Sequence, residues 1–155
     1  MAFRIQGINP SIFEHLIGLS DEELAMQGIK RYAVDAKPGF PDRVEVRDLE
    51  VGETALLLNY EHQPADTPYR SRHAIFVGEQ SRQPLDLIDE LPEAILCRSI
   101  SLRAFNFAGE MVDADLTEGT DLCPVIARFF DRPDVEYLHA HFAKRGCYAA
   151  TIVRS

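Results

Sequence analysis

The sequence of 155 residues contains no tryptophan and only three cysteines, Cys97, Cys123 and Cys147. An odd number of cysteines without a CxxC pair argues against a disulfide framework or a zinc ribbon. Free thiols are typical of a reducing compartment, and we therefore predict a cytoplasmic protein. Cys97 and Cys123 fall in predicted helical segments without histidine neighbours, so we interpret both as packing residues.

Long apolar runs are also absent. No segment approaches the roughly 18 apolar residues of a membrane span, and the N-terminal residues lack the apolar core of a signal peptide. The P-loop, GxGxxG, HExxH and GxSxG motifs are missing as well. The corresponding nucleotide-binding, zincin and hydrolase classes therefore have no support.

Positive charge is scarce, because 16 Lys and Arg face 25 Asp and Glu, for a formal net charge of −9. A negative surface repels phosphate backbones and anionic lipids, so we expect neither a nucleic-acid nor a membrane partner. A small-molecule ligand is compatible with this charge, and the oligomeric state is left open. The length and the 46% hydrophobic content predict one globular domain over residues 1–155.

Hydrophobic periodicity and capping residues predict the main elements. Asn9 and Ser20 have the character of N-caps for two helices. Apolar residues of 121–130 recur at i, i+3, i+4, i+7 and i+8, which indicates an amphipathic helix. Predicted strands cover 43–47, 54–60 and 73–77, with a loop at 62–72. This mixture predicts an α+β fold, with a mainly antiparallel sheet and helices packed largely on one face.

A first hairpin is predicted around Gly109, within the segment 100–116. A three-residue loop with Gly109 in the left-handed position gives one wholly apolar face. Its cross-strand pairs are Ala104 with Val112, Leu102 with Ala114, and Ile100 with Leu116. The opposite face then sets Arg103 against Asp113, and we predict an ion pair between them.

A second hairpin is predicted at the C-terminus, with Lys144-Arg145-Gly146 as its loop. This register pairs apolar residues on one face: Phe142 with Tyr148, Ala140 with Ala150, and Leu138 with Ile152. The other face holds His141 opposite Ala149, His139 opposite Thr151, and Cys147 beside the turn. A four-residue loop, which sets His141 against Tyr148, sorts the faces less well, so we favour the shorter loop.

Several separated sequence blocks carry a family resemblance. They are 59–66 (NYEHQPAD), 68–70 (PYR), 73–76 (HAIF), 101–105 (SLRAF), 111–115 (MVDAD) and 145–149 (RGCYA). Together they resemble a bacterial family known as domain of unknown function 1203, over nearly the whole chain. The chain departs from it at Pro41-Asp42-Arg43, where members often have Pro-Cys-Arg. The family name implies no activity, so the resemblance establishes kinship only.

Two histidines on one side of a strand suggest a divalent metal site. His139-x-His141 is a usable ligand spacing, and a third ligand is available from Cys147, Asp113 or Asp115. The alternative is a solvated polar face of an antiparallel sheet.

Cys147 is also a candidate nucleophile. A thiol needs a base or a cation nearby to become a thiolate, and His141, Arg145 or loop amides can serve. Asp113 or Asp115 can orient a histidine if the two hairpins adjoin. In this hypothesis Cys147, His141, His139 and Asp113 form a catalytic set.

A polar segment and two arginines complete the candidate residues. Loops with many hydrogen-bonding groups often line sites, and an arginine in a cleft can hold a carboxylate or phosphate. The candidate substrate-binding residues are Asn59, His62, Tyr69, Arg70, His73, Arg103 and Arg145. Three hypotheses follow: a small enzyme with a Cys/His site for a small polar or anionic substrate, a metal- or ligand-binding module without turnover, and an interaction protein.

Overall fold

The computed structural model describes residues 2–155. Strands form 40% of the chain and helices 18%, which confirms the predicted α+β class. The strands are β1 (Phe3–Gln6), β2 (Lys30–Ala33), β3 (Pro41–Asp42), β4 (Arg47–Asp48), β5 (Thr54–Gln63), β6 (Ser71–Gly78), β7 (Asp86–Ile88), β8 (Ser99–Phe105), β9 (Met111–Glu118), β10 (Tyr137–Phe142) and β11 (Tyr148–Arg154). The α-helices are α1 (Asp21–Ala25), α2 (Glu93–Leu96) and α3 (Leu122–Phe130), and 3₁₀ turns span Pro10–Leu16 and Gly119–Asp121. No helix of this part of the chain is long and apolar enough to cross a membrane.

Six strands form an antiparallel sheet in the order β7-β1-β11-β10-β8-β9. Alternate residues of β8, β10 and β11 share a core with α3, because strand side chains alternate between faces. The predicted apolar stripe of α3 is confirmed, since Leu122, Ile126, Phe129 and Phe130 are all buried. Full burial of each such side chain contributes roughly 1.5–3 kcal/mol.

A second sheet holds five strands in the order β2-β5-β6-β3-β4. Its pairings are antiparallel except for β3 with β6. Alternating residues of β5 and β6 build a second core, which Tyr148 of β11 enters from the first sheet. The face of β11 that carries Tyr148 therefore meets the second sheet, and the other face meets the core around α3.

Both predicted N-caps are confirmed. The Asn9 side chain accepts a hydrogen bond from the Ser11 amide, although the turn that follows is 3₁₀ rather than α-helical. Ser20 and Glu23 form the reciprocal capping box that opens α1. Such caps satisfy amides that have no partner inside the helix.

Two predictions of local structure are wrong. Residues 43–46 form a tight turn between β3 and β4 instead of a strand, and Val46 has a positive φ of 51°. The alternation of charged and apolar residues there reflects a turn with Val44 and Val46 buried, not a pleat. In addition, β5 extends to Gln63. His62 therefore lies in a strand, and the connecting loop spans 64–70.

The β8–β9 hairpin has the predicted turn and a different register. Gly109 adopts φ 81°, and Phe105 pairs with Met111 as the three-residue loop requires. A β-bulge then makes Val112 an extra residue, so Ala104 pairs with Asp113 instead of Val112. The predicted pairs farther along the hairpin are wrong by one residue, since Leu102 faces Asp115 and Ile100 faces Thr117.

The β10–β11 hairpin combines the two registers considered for it. Leu138 pairs with Ile152, His139 with Thr151, and Ala140 with Ala150, all as predicted. Nearer the turn, His141 pairs with Tyr148, as in the four-residue loop, because Ala149 is the extra residue of a bulge. The predicted pairs of His141 with Ala149 and of Phe142 with Tyr148 are therefore wrong.

Candidate metal centre

The strand pair β10–β8 places two histidines on the face that is turned away from α3. His139 lies opposite Arg103 and His141 lies opposite Ser101. The intervening residue Ala140 packs in the core around α3. The period of two along the strand thus holds both imidazoles on one side, as the sequence predicts for this pair.

A third histidine reaches the same point from the second sheet. His62, near the end of β5, has its ring centroid 4.9 Å from that of His141 and 6.1 Å from that of His139. All three side chains are buried, with residue exposures of 9% for His62, 5% for His139 and 1% for His141. The sequence identifies His62 only as a possible substrate contact, and the packing of the two sheets makes it part of the cluster.

The three rings offer converging nitrogen atoms. One ring nitrogen from each histidine lies within 4.8 Å of the other two. Two nitrogens of a tetrahedral zinc site are roughly 3.4 Å apart, given a Zn–N distance of about 2.1 Å. The nitrogens therefore need to approach one another by at most roughly 1.4 Å to share an ion, which small side-chain rotations provide.

The hydrogen bonds of the cluster leave nitrogens free. The Nδ1–H of His141 donates to the Gly146 carbonyl at 2.9 Å, so its Nε2 is the atom with a free lone pair. That Nε2 is buried without a hydrogen-bond partner, and so are the Nδ1 atoms of His62 and His139. Buried polar atoms without a partner are uncommon, and each needs a physical explanation.

Burial keeps all three imidazoles neutral. It lowers the pKa of His139 and of His141 to about 3, and that of His62 to about 4. The nearby Arg103 charge and the neighbouring imidazoles add to the effect. A neutral imidazole is the form that binds a metal ion, so protons do not compete for these atoms near neutral pH.

Aromatic side chains surround the cluster. The Tyr148 ring stacks on His62 with a 5.5 Å centroid separation and a 7° interplanar angle. Its hydroxyl hydrogen-bonds Thr151, and burial raises the pKa of Tyr148 well above its usual value. Phe105 and Tyr137 pack against His139 at centroid distances of 4.9 and 5.2 Å. Aromatic rings thus enclose the three imidazoles.

Arg103 lies at the edge of the cluster without a carboxylate partner. Its predicted ion pair with Asp113 is wrong, because the bulge at Val112 sets Arg103 opposite Ala114. Among the described residues its side chain hydrogen-bonds only Ser101 Oγ, at 3.4 Å. Partial burial lowers the pKa of Arg103. An arginine in this position is available to an anionic ligand.

The two candidate carboxylates of β9 are elsewhere. Asp113 forms an ion pair with Arg132 at 2.6 Å, and Asp115 forms one with Arg128 of α3. Asp113 and Asp115 are thus paired with arginines in α3 and just after it, and they do not join His139 or His141. The roles proposed for Asp113 in catalysis and for Asp115 in metal binding receive no support from this placement.

Cys147 does not share the face of the histidines, and that prediction is wrong. The bulge at Ala149 turns Tyr148 toward the histidines, and Cys147 points to the opposite side, into the core with Phe142. The Arg43 guanidinium donates a hydrogen bond from Nη2 to Cys147 Sγ at 3.0 Å. Cys147 and His141 therefore do not form a nucleophile–base pair.

Of the remaining predicted residues, some line a second cavity and others lie at neither that cavity nor the histidine cluster. His73 and Arg145 line a cavity of about 720 Å³ that also contains Cys147 and Arg43. Three exposed side chains line neither this cavity nor the histidine cluster: Asn59, Tyr69 and Arg70. The loop 64–70 does reach the first sheet, since Thr67 Oγ1 donates to the Gly109 carbonyl at 3.2 Å. Cys97 and Cys123 are exposed, so the prediction that they serve as packing residues is wrong.

Sequence reasoning missed two residues of these sites. Arg43 was predicted in a half-exposed strand, yet it is only 2% exposed. Tyr148 was predicted on the apolar face opposite Phe142, yet it packs on His62, His139 and His141. The only signal for Tyr148 was the four-residue alternative for the last hairpin, which sets it opposite His141.

Comparison with known proteins gives one match. The model of a family described as protein of unknown function (DUF1203) matches residues 39–154. This range contains the three histidines, Arg103, Arg43 and Cys147. No curated protein and no solved structure matches the chain significantly.

Proposed function

Because the chain belongs to the DUF1203 family, whose description names no activity, we propose its function from the histidine cluster. The protein binds one divalent transition-metal ion through His62, His139 and His141. The ion lies between the two sheets, where β5 meets β10. This replaces the set of His139, His141 and an acid suggested by the sequence.

The observation that carries the proposal is the convergence of three neutral, buried imidazoles with unpaired nitrogens. A buried polar atom without a partner costs roughly 1–3 kcal/mol. A metal ion shared by the three rings removes that cost at each unpartnered nitrogen that coordinates it. The hydrogen bond from His141 to the Gly146 carbonyl supports the same conclusion, because metal-binding histidines usually donate their second nitrogen in this way.

The ligand chemistry selects the class of metal. Three imidazole nitrogens suit Zn²⁺, Co²⁺, Ni²⁺ or Cu²⁺, whereas Mg²⁺ and Ca²⁺ prefer oxygen ligands. Within residues 2–155, the cluster of His62, His139 and His141 includes no carboxylate or thiolate. We therefore propose zinc or a neighbouring first-row ion.

Three protein ligands leave a coordination position for water or for a substrate atom. Structural zinc sites are closed by four protein ligands, and catalytic sites commonly have three. Arg103 lies directly opposite His139 on the neighbouring strand and has no carboxylate partner. An anionic ligand at the open position would thus face a cation, which supports metal-dependent binding or activation of a small anion.

Isothermal titration calorimetry of the metal-free protein with Zn²⁺ tests the proposal. We expect one equivalent to bind, and His139→Gln or His62→Gln to weaken binding by at least the roughly 10- to 100-fold that loss of an outer-shell partner causes. His15→Gln is the matched control, because His15 is exposed and lies outside the cluster. Absence of saturable binding, or equal affinity in the cluster variants and the control, contradicts the proposal.

Thermal unfolding gives a second readout that does not depend on catalysis. A ligand at 100 times its Kd stabilises the folded state by about 2.7 kcal/mol. Zinc at that ratio should therefore raise the unfolding temperature of the unmodified protein and of His15→Gln, but not that of His62→Gln. If His62→Gln and His15→Gln unfold at the same temperature as the unmodified protein without zinc, the substitutions have left the fold intact.

A further inference from the structure

A second site lies on the other face of the last hairpin. The cavity of about 720 Å³ that contains Cys147 is within the size range of small-molecule sites. None of His62, His139 and His141 lines this cavity, and nothing in the proposed metal function uses it. Its side chains come from the second sheet, from the residues after α2, and from the hairpin turn.

The charge of this cavity is opposite to that of the whole chain. Four basic residues line it, namely Arg43, Arg98, Lys144 and Arg145, and no Asp or Glu is among its lining residues in the described chain. The protein as a whole carries a formal charge of −9. A cationic cavity on an anionic protein focuses a local field that attracts small anions.

Arg43 is the deepest of these cations and forms no ion pair in the described chain, although the buried Asp42 carboxylate lies near enough to stabilise its charge. The residue is 2% exposed, and its side chain donates to the Tyr148 carbonyl at 2.7 Å, to the Pro41 carbonyl and to Cys147 Sγ. No carboxylate of the described residues forms an ion pair with it. Burial lowers the pKa of Arg43 to about 10, so the charge is retained at neutral pH. A buried charge is costly unless a counter-charge compensates it.

A second guanidinium lies close to the first. Arg43 and Arg98 both pack on the Phe142 ring, at 4.9 and 4.8 Å from its centroid. Arg98 is neutralised by Asp48 at 2.6 Å, and Arg43 is not. The rim residues Lys144 and Arg145 are exposed and belong to none of the ion pairs found in residues 2–155. Lys144 and Arg145 are therefore free to contact a ligand, and the buried Arg43 adds positive charge to the cavity wall.

Three aromatic side chains also line the cavity. Tyr32, Phe40 and Phe76 pack together with ring centroids 5.1–6.2 Å apart, and all three line the cavity. Such a surface favours an apolar body on the ligand. A lining that contains both cations and aromatic rings matches a molecule that has both a charged and an apolar end.

We propose that this cavity binds a small organic anion, a carboxylate or phosphate ester with an apolar body. Its charged group is held by Arg43 and the rim cations Lys144 and Arg145, beside the Cys147 thiol. Its apolar body lies against Tyr32, Phe40 and Phe76. This site is distinct from the anion position that Arg103 offers at the metal centre.

Equilibrium binding tests the proposal with four probes on the metal-free protein. Phenylacetate and phenyl phosphate supply the two kinds of anion, inorganic phosphate lacks the apolar body, and benzyl alcohol lacks the charge. We expect calorimetry to show binding of at least one phenyl anion at least tenfold tighter than that of inorganic phosphate or benzyl alcohol. Equal binding of inorganic phosphate, or no binding of either phenyl anion, overturns the proposal.

Variants at exposed positions locate the binding without disturbing the fold. The double variant Lys144→Gln/Arg145→Gln should weaken binding of the phenyl anion by about threefold to tenfold, because two rim cations are removed. Arg82→Gln is the matched control, since Arg82 is exposed and lies outside the cavity. Arg103→Gln should also leave the affinity unchanged. Sensitivity to Arg103→Gln but not to the double variant would assign the anion to the histidine cluster and contradict the proposal.

Alkylation of Cys147 provides an independent readout of the local charge. Iodoacetate and iodoacetamide react alike, with a C–S bond forming as the C–I bond breaks, iodide leaving and the thiol proton passing to solvent. The ratio of their rates therefore reports the attraction of the anionic reagent. We expect a higher ratio at Cys147 than at the exposed Cys123, and a lower one in the Lys144→Gln/Arg145→Gln variant. The same ratio at both cysteines contradicts a cationic site.

Discussion

The Nδ1–H of His141 donates a hydrogen bond of 2.9 Å to the carbonyl of Gly146, within the same hairpin. This bond assigns the free lone pair to Nε2, which is the atom left without a partner in the buried cluster. Bonds of this kind orient metal-binding imidazoles and increase their basicity. The turn after β10 therefore supports the metal centre through its backbone, while its side chains Lys144 and Arg145 line the cavity on the other face.

Replacing Gly146 with alanine should destabilise the protein by about 1 kcal/mol. Gly146 has φ +79° and no atom within 4 Å of an added Cβ, so the cost comes from the backbone conformation alone. The left-handed conformation costs an L-residue about 1–2 kcal/mol, which the lower entropy of the unfolded variant offsets by about 0.4–1 kcal/mol. Urea denaturation measures the difference.

Gly39→Ala is the matched control for this substitution. Its φ is outside the left-handed region, and an added Cβ meets only the Ala36 carbonyl oxygen, at 3.6 Å. We expect its stability to be unchanged or slightly increased. Zinc affinity should fall in Gly146→Ala and not in Gly39→Ala. Equal stability and equal affinity in the two variants would show that the turn does not support His141.

Acid should destabilise the fold through the three buried histidines. The pKa of His139 and of His141 is about 3 and that of His62 about 4 in the folded protein, against about 6.5 for an unfolded histidine. Between pH 6.5 and about 4 the unfolded chain therefore binds protons that the folded chain does not. The free energy of unfolding falls as the pH falls through this window, by up to about 1.4 kcal/mol per pH unit for each histidine.

His139→Gln isolates this contribution from that of the carboxylates. Urea denaturation of the metal-free protein at pH 7, 6 and 5 should give a shallower pH dependence for His139→Gln than for the unmodified protein. His15→Gln should retain the original dependence, because that side chain is exposed. Parallel curves for all three proteins would show that His139 binds protons alike in the folded and unfolded protein, which contradicts the prediction.

Phe129 should anchor α3 in the core of the six-stranded sheet. Its side chain is 1% exposed within a cluster that includes Ile100, Leu102 and Leu138. Phe129→Ala leaves a cavity there and should cost roughly 3–5 kcal/mol. Phe107→Ala is the control, because Phe107 is 91% exposed in the β8–β9 turn and should change stability by less than about 0.5 kcal/mol. Similar denaturation midpoints for the two variants would contradict this packing.

Local signals predicted the elements of this fold better than their registers. The capping box of Ser20 and the turn at Gly109 depend on neighbouring residues, and both are confirmed. The bulges at Val112 and Ala149 depend on packing against other strands, and the hydrophobic pattern alone did not indicate them. One extra residue was enough to move Cys147 to the opposite face from His141.

The candidate site illustrates the same limit. The pair His139 and His141 was predictable, because a period of two places both side chains on one face of a strand. His62 is more than 70 residues away in sequence and reaches them only because β5 packs against β10 and β11. Contacts between sheets have no local sequence pattern, so the third imidazole was attributed to a loop and an acid was expected in its place.

The central claim is that His62, His139 and His141 together bind one metal ion. X-ray absorption spectroscopy of the zinc-loaded protein measures the donor atoms directly. We predict three imidazole nitrogens at about 2.0–2.1 Å and a further oxygen ligand, with one imidazole fewer in His62→Gln and no change in His15→Gln. A sulfur ligand at about 2.3 Å, or an imidazole count unaffected by His62→Gln, would contradict the account.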